Sequence, residues 1–272
     1  MPKKLAAAAA LAVLILWALL FGPLVPWSPV KPGYQKLASR RGELWYPQGF
    51  PELPAYRELD AGVEGVERFL GLRMPEKVTV IDASDWSGFQ RFVPQLLGAR
   101  VGAVTLPTGT VIILSPRIRE RGLDVREFIR HELAHAAMHQ NQSLWQAIRG
   151  PAAVPWFCEG LSVSYGRQKA YLTRAEFLER VRAGADLRAA IDREAAVPGR
   201  DMKFDYVAWR SFVEYLRARH GEAAFAKFLR AFLADYGAAR ANFRESFGHS
   251  FEEAITDFGR DLRSGAWEPA ED

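Results

Sequence analysis

Five consecutive residues carry the most chemistry in this chain: His131-Glu132-Leu133-Ala134-His135, a His-Glu-x-x-His run. On a helix, residues four apart lie one above the other, roughly 6 Å apart along the axis. Two imidazoles so placed can grip one tetrahedral zinc ion. Glu132, about 100° round from His131, then faces a water on that ion rather than the ion itself. Zinc lowers the pKa of such a water toward neutrality, and a neighbouring carboxylate can take its proton and return it to a leaving amine. This is hydrolysis without a covalent enzyme intermediate. The whole chain holds five histidines, so the spacing is a poor candidate for coincidence. Phe128, Ile129, Leu133, Ala134 and Ala137 supply the apolar side that would pack such a helix.

A third ligand must come from elsewhere. His139 lies four residues beyond His135, but in a straight helix His131, His135 and His139 would span roughly 12 Å. Zinc–nitrogen bonds are only about 2 Å long. A third histidine six residues after the second, the metzincin spacing, would stand where the chain has Asn141. His139 reads instead as a helix-end residue favoured by the macrodipole.

Downstream lies Pro155-Trp156-Phe157-Cys158-Glu159-Gly160-Leu161. A His-Glu-x-x-His helix followed by Trp-x-x-Glu-Gly-Leu resembles the gluzincin clan of metallopeptidases, in particular its bacterial peptidase MA-like branch. The resemblance extends from about Val78 to Leu262 and includes the stretch from Tyr206 to Leu216 and the segment Phe247-Gly248-His249-Ser250-Phe251-Glu252-Glu253. It implies that Glu159 is the third zinc ligand. Three protein ligands with one exchangeable position make a catalytic rather than a structural zinc site. It also implies an oxyanion donor, Tyr or His, from the helical lobe. Tyr206 is the candidate from the matching stretch, with Tyr165 and His220 weaker; His249 reads as structural. Some gluzincins carry an Asp four residues after the third ligand to orient an imidazole. Val163 stands there, which leaves Ser162 or a backbone carbonyl for that role. Cys158 adjoins Glu159 but points about 100° away on a helix, as a buried small residue. The resemblance further implies an extended peptide added along the Val101–Leu114 hairpin edge.

The elements that must position these groups follow from patterning. Lys77–Asp82 is β-branched and predicts a strand, and Val101–Leu106 with Thr110–Leu114 predicts a hairpin about Pro107-Thr108-Gly109. Tyr56–Leu70 and Trp86–Leu97 have helical spacing. Asp124 with Glu127 forms a capping-box pattern that starts the central helix, which runs to about His139. Further helices are predicted at Pro155–Tyr165, Thr173–Ala183, Tyr206–Arg219, Glu222–Tyr236 and Ser250–Leu262. Thr173/Glu176 and Ser250/Glu253 repeat the capping pattern. The fold class is α+β. A small mixed sheet lobe with the active-site helix at its seam precedes a mostly helical lobe, which the resemblance makes a thermolysin-like gluzincin core.

Composition bounds the rest. With 272 residues, 49% hydrophobic and 25% charged, the chain suits one sizeable domain, or two closely packed lobes, plus a terminal appendage. The net charge of +4 is scattered, with no basic block interleaved with aromatics, so nucleic acid is not an expected partner. A lone Cys158 excludes an internal disulfide and a Cys-based zinc site. An uncharged run follows Lys3-Lys4, densely apolar from Leu5 to Phe21, and a helix over Leu5–Val25 would rise roughly 30 Å. Trp27 suits an interfacial anchor, and no small-x-small cleavage site is apparent, so a signal-anchor is preferred over a cleaved signal or a core helix. Lys3 and Lys4 favour an extracytoplasmic domain, although Lys31, Lys36, Arg40 and Arg41 flank the other side. The predicted division is a signal-anchor over 1–30, a Pro-rich linker over 31–55, a catalytic domain over 56–265 and a tail over 266–272. The expected function is hydrolysis of peptide or protein substrates, with endopeptidase action favoured because no Gly-x-Met-x-Asn amine-gripping run precedes the helix. The alternative is an inactive peptidase-like scaffold that binds peptide at the membrane.

Overall fold

A five-stranded sheet supports one side of the molecule and helices make up most of the remainder. The structure, a computed structural model, describes residues 2–20, 22, 24–49, 53–57, 59–93, 102–149, 154–192 and 201–270. The chain opens with α1 (Pro2–Leu20) and a 3-10 turn (Val25–Trp27), followed by β1 (Tyr34–Ala38) and β2 (Gly42–Pro47). Next come α2 (Leu53–Tyr56), α3 (Leu59–Leu70), β3 (Val78–Asp82), α4 (Trp86–Phe92), β4 (Ala103–Thr105) and β5 (Val111–Ile113). The helical part comprises α5 (Ser115–Glu120), α6 (Val125–Gln140), α7 (Leu144–Arg149), α8 (Pro155–Gly166), α9 (Arg174–Arg182) and α10 (Leu187–Ile191). It closes with α11 (Met202–Ala234), α12 (Ala239–Phe247) and α13 (Phe251–Ser264). The fold class is α+β, as expected.

The strand order is β1-β2-β3-β5-β4, with β3 parallel to both β2 and β5 and the outer pairs antiparallel. Side chains alternate between the faces of a strand, and the cores follow that alternation. Leu44, Val78, Val80, Val111 and Ile113 enter the large core shared with α3, α6 and the helical part. Trp45, Ile81 and Ile112 face a smaller core under α4 with Phe89 and Phe92. α6 lies between the sheet and α8, and α8 packs most extensively against α11. Trp156 and Phe157 cement that contact against Phe212, Phe228 and Phe232.

Several expectations are corrected. The stretch 31–55 is no irregular linker, because β1 and β2 form a hairpin within it and β2 joins the sheet. The single N-terminal membrane anchor, from which the extracytoplasmic placement was argued, is overturned. No helix among the described residues is long and apolar enough to cross a membrane. α1 stops at Leu20, and its apolar part from Leu5 rises roughly 24 Å against the ~30 Å of a hydrocarbon core. Trp27, expected at an interface, donates through Nε1 to Thr108 Oγ1 at 2.7 Å, while Arg91 holds the Leu20 carbonyl at 2.8 Å. The end of the predicted helix Trp86–Leu97 and Val101 at the start of the predicted strand lie outside the described residues. The two helices predicted over 206–236 run as one element, broken only where Gly221 takes φ 79° and ψ 166°.

Candidate metal centre

Asp124 caps α6 by accepting from Arg126 N at 2.8 Å, which starts the helix where the sequence pattern placed it. Glu127 does not complete the capping box. It is buried and accepts from Lys169 N at 2.9 Å, tying the segment after α8 to the start of α6. One turn further on, His131 and His135 project their Nε2 atoms to within 3.1 Å of each other. α8 brings Glu159 to the same point: its Oε2 lies 3.4 Å from His131 Nε2 and 3.6 Å from His135 Nε2. Two glycines allow this approach. A Cβ on Gly160 would sit 2.6 Å from the Trp209 carbonyl oxygen, and one on Gly166 would sit 3.0 Å from the Glu127 carbonyl oxygen and 3.2 Å from His131 Cβ.

The three donors fit a zinc ion. Tetrahedral ligands about 2.0–2.1 Å from the metal stand about 3.3–3.4 Å from one another, and the observed edges are 3.1, 3.4 and 3.6 Å. Two neutral-type nitrogens and one carboxylate are also the donor chemistry of a catalytic zinc site. Among the described residues, these three form the group of histidine and acid side chains able to hold a metal ion. The charges are mutually adjusted. Burial favours an uncharged Glu159, yet the attraction of His135 and hydrogen bonds from both imidazoles hold its carboxyl well below the usual range. Burial likewise disfavours a charged His135, but Glu159 and then Glu132 raise its pKa.

Glu132 is buried, at 5% exposure, on the neighbouring side of α6. Thr105 Oγ1, on β4, is 2.7 Å from Glu132 Oε2 and 3.0 Å from the Glu132 carbonyl oxygen. The hydroxyl thereby holds the carboxylate in one orientation. Tyr206, early on α11, hydrogen-bonds to Glu159, and its ring stacks on Tyr171 with centroids 4.6 Å apart. Burial first, then the charge of Glu159, raises its phenol so that it remains an O–H donor. Tyr171 is raised by burial and by the same two carboxylates, Glu159 and Glu132.

The other sequence candidates lie elsewhere. His139 is held by Gln142 at 2.6 Å, and burial followed by repulsion from His135 lowers it to about 3. Tyr165 donates to the Gly62 carbonyl at 2.7 Å. His220 and His249 approach each other, with Nε2 atoms 3.1 Å apart. Cys158 is buried and free, its thiol pushed up to about 12 by burial and by Glu159. Ser162 does not orient an imidazole: its Oγ and His131 Nδ1 are both buried without hydrogen-bond partners among the described residues. Sequence reading missed Thr105 and Tyr171. A hydroxyl residue on the strand beside the motif helix was a usable signal for Thr105. Tyr171, in the α8–α9 connection, carried none.

No family model matches the chain, and no curated protein matches it. Among solved structures it is similar to an M1 zinc metallopeptidase from Deinococcus radiodurans, at 19% identity and a TM-score of 0.41 over 88% of this chain and 53% of that one. A single-residue variant of that protein aligns over the same shares at 19% identity and a TM-score of 0.42. A two-domain M1 zinc metallopeptidase variant bound to L-arginine gives 19%, 88%, 53% and 0.42. The chain spans about half the length of these structures.

Proposed function

We propose that this chain is a zinc-dependent peptidase of the gluzincin type, with His131, His135 and Glu159 as ligands and Glu132 as the base. The observation that carries the reading is the triangle of ligand atoms with edges of 3.1, 3.4 and 3.6 Å, beside a buried glutamate. A zinc ion at that point would polarise the scissile carbonyl and bring the proton of an attacking water within reach of a carboxylate.

The remaining work falls to the chain's own groups. Thr105 occupies Glu132 Oε2, which leaves the other carboxylate oxygen to take the water's proton and deliver it to the leaving amine. Tyr206 stays protonated and can donate its hydroxyl to the developing oxyanion after leaving Glu159. β4 offers a place for the substrate backbone. It is the terminal strand of the sheet, and bonds from Leu106 N to Thr110 O and from Leu114 N to Gly102 O fix its register. By the alternation of an antiparallel pair, Val104 bonds inward to Ile112, while the main-chain groups of Ala103 and Thr105 point to the outer edge. An extended peptide added there runs directly beside Glu132.

The test is to load the full chain with zinc and assay it on a diverse library of internally quenched peptides. Internal cleavage that stops on chelation and returns with zinc supports the reading. Stoichiometric zinc with no cleavage across the library would replace it by the peptide-binding scaffold.

A further inference from the structure

The helix that carries both imidazoles has a second cavity on its other side. A space of about 540 Å³ lies among α3, α6, α8 and α11, and Arg126, Ile129, Arg130 and Leu133 are the contribution of α6 to its wall. At about 100° per residue, these four positions average some 170° round the axis from His131 and His135. The cavity and the metal cluster are therefore back to back across one helix.

The wall is cationic, and its charge is only partly paired among the described residues. Arg126, Arg130 and Arg167 line it, and none forms an ion pair among the described residues. The Nε of Arg130 is buried with no hydrogen-bond partner, a costly state for a charged donor. Arg210 also lines the space, but its Nε donates to Glu214 Oε1 at 2.9 Å, which accepts from Ser164 Oγ at the same distance. Glu214 is the single acid among the described lining residues. Arg167 is held at φ 50° and ψ 47°, the left-handed position after α8 where glycine is the usual occupant. A guanidinium is therefore kept at a place where the backbone disfavours any side chain. The rest of the wall is apolar, including Leu59, Phe69, Ile129 and Leu133.

We propose that this cavity binds a small organic anion, with a phosphate or carboxylate head on a compact apolar body. Guanidinium forks match either head with paired N–H donors. The volume suits one such molecule, and the apolar wall suits its body. The inference stands apart from the metal centre, since none of the ligand residues, Glu132 or Tyr206 lines this space.

Calorimetric titration of the zinc-loaded full chain at low salt with phenyl phosphate, benzoate and neutral benzyl alcohol tests it. At least one of the two anions is expected to bind saturably, at about 1 mM or tighter, and the stronger of the two identifies the head group. Benzyl alcohol is expected not to bind. Arg126→Met and Arg130→Met should each weaken the anion by roughly tenfold or more, the scale of a lost charged hydrogen bond. Arg167→Gly, which suits the left-handed backbone, should do the same and keeps the test available if Arg130→Met fails to fold. Absence of saturable anion binding, or equal binding of benzyl alcohol, would overturn the proposal. Affinity unchanged in the folded variants would also overturn it, because the anion would then sit at the metal or elsewhere.

Discussion

Replacing Gly160 by alanine isolates the packing that delivers Glu159 to the two imidazoles. The new Cβ would lie 2.6 Å from the Trp209 carbonyl oxygen, 2.8 Å from Val213 Cγ2 and 2.9 Å from the Trp209 carbonyl carbon. Two of those atoms are backbone of α11, so no rotamer change relieves them, and α8 must move away by roughly half an ångström to restore ordinary contact. Overpacking of this kind costs about 1–3 kcal/mol, with some relief because alanine favours a helix over glycine by about 1 kcal/mol. A net loss of about 1 kcal/mol corresponds to roughly 3 °C in Tm for a chain of this size. The same half-ångström shift exceeds the ~0.2 Å tolerance of a metal–ligand bond, so zinc affinity should fall at least tenfold. Thermal unfolding of the apo protein and competition for zinc with a chelating dye read the two effects separately. Gly62→Ala serves as the control, since its Cβ meets only Leu133 Cδ1, at 3.0 Å, and should leave both quantities nearly unchanged. A Gly160→Ala protein at least as stable as the wild type, with zinc affinity within twofold, would refute the packing argument.

Tyr206→Phe should lower kcat about 100-fold, the scale of one lost oxyanion donor, with zinc content intact and KM within a few-fold; steady-state kinetics giving kcat within twofold would remove it from the mechanism. Zinc at 100 times its Kd should stabilise the chain by about 2.7 kcal/mol, or roughly 8 °C, measured by calorimetry with and without chelator. Glu159→Ala should abolish that increment, and a surviving increment would contradict the ligand set. Burial holds the His139 imidazole down to about 3 in the fold, against about 6.5 for an unperturbed histidine. The unfolded chain therefore takes up the extra proton between those values, and stability falls as pH drops from about 6.5 toward 3. In chelator, the denaturant midpoint of the wild type should drop more between pH 7.5 and 4.5 than that of His139→Gln; equal drops would show that His139 is not the acid-sensitive group.

What was legible in the sequence was mostly local. The span of α6, the two capping boxes at Thr173/Glu176 and Ser250/Glu253, and the placement of both histidines on one helix face follow from spacing within a few residues. Bringing Glu159 to that face is a long-range event, and the structure accomplishes it through glycines at 160 and 166. The failures share one cause. β1 and β2 lie in a proline-rich stretch that reads as irregular, yet Pro47 falls at the strand end opposite Tyr34, and pairing of β2 with β3 fixes the rest. Glu127 matched a capping pattern but was taken by the backbone of Lys169, 42 residues away. Thr105 reaches Glu132 across 27 residues, a contact that no local period encodes. The apolar N-terminal run was long enough to suggest a membrane span, but α1 closes at Leu20, and the turn after it buries Val25 in the smaller core.

Zinc-dependent hydrolysis with Glu132 as base is tested most directly by the cleavage rate of Glu132→Gln at full zinc occupancy. The amide keeps the shape of the side chain and its contact with Thr105 but cannot accept the proton. One zinc per chain is expected in both proteins, with a loss of cleavage of at least about 100-fold in the variant, the contribution of a general base. Cleavage at the wild-type rate with zinc retained would contradict that role.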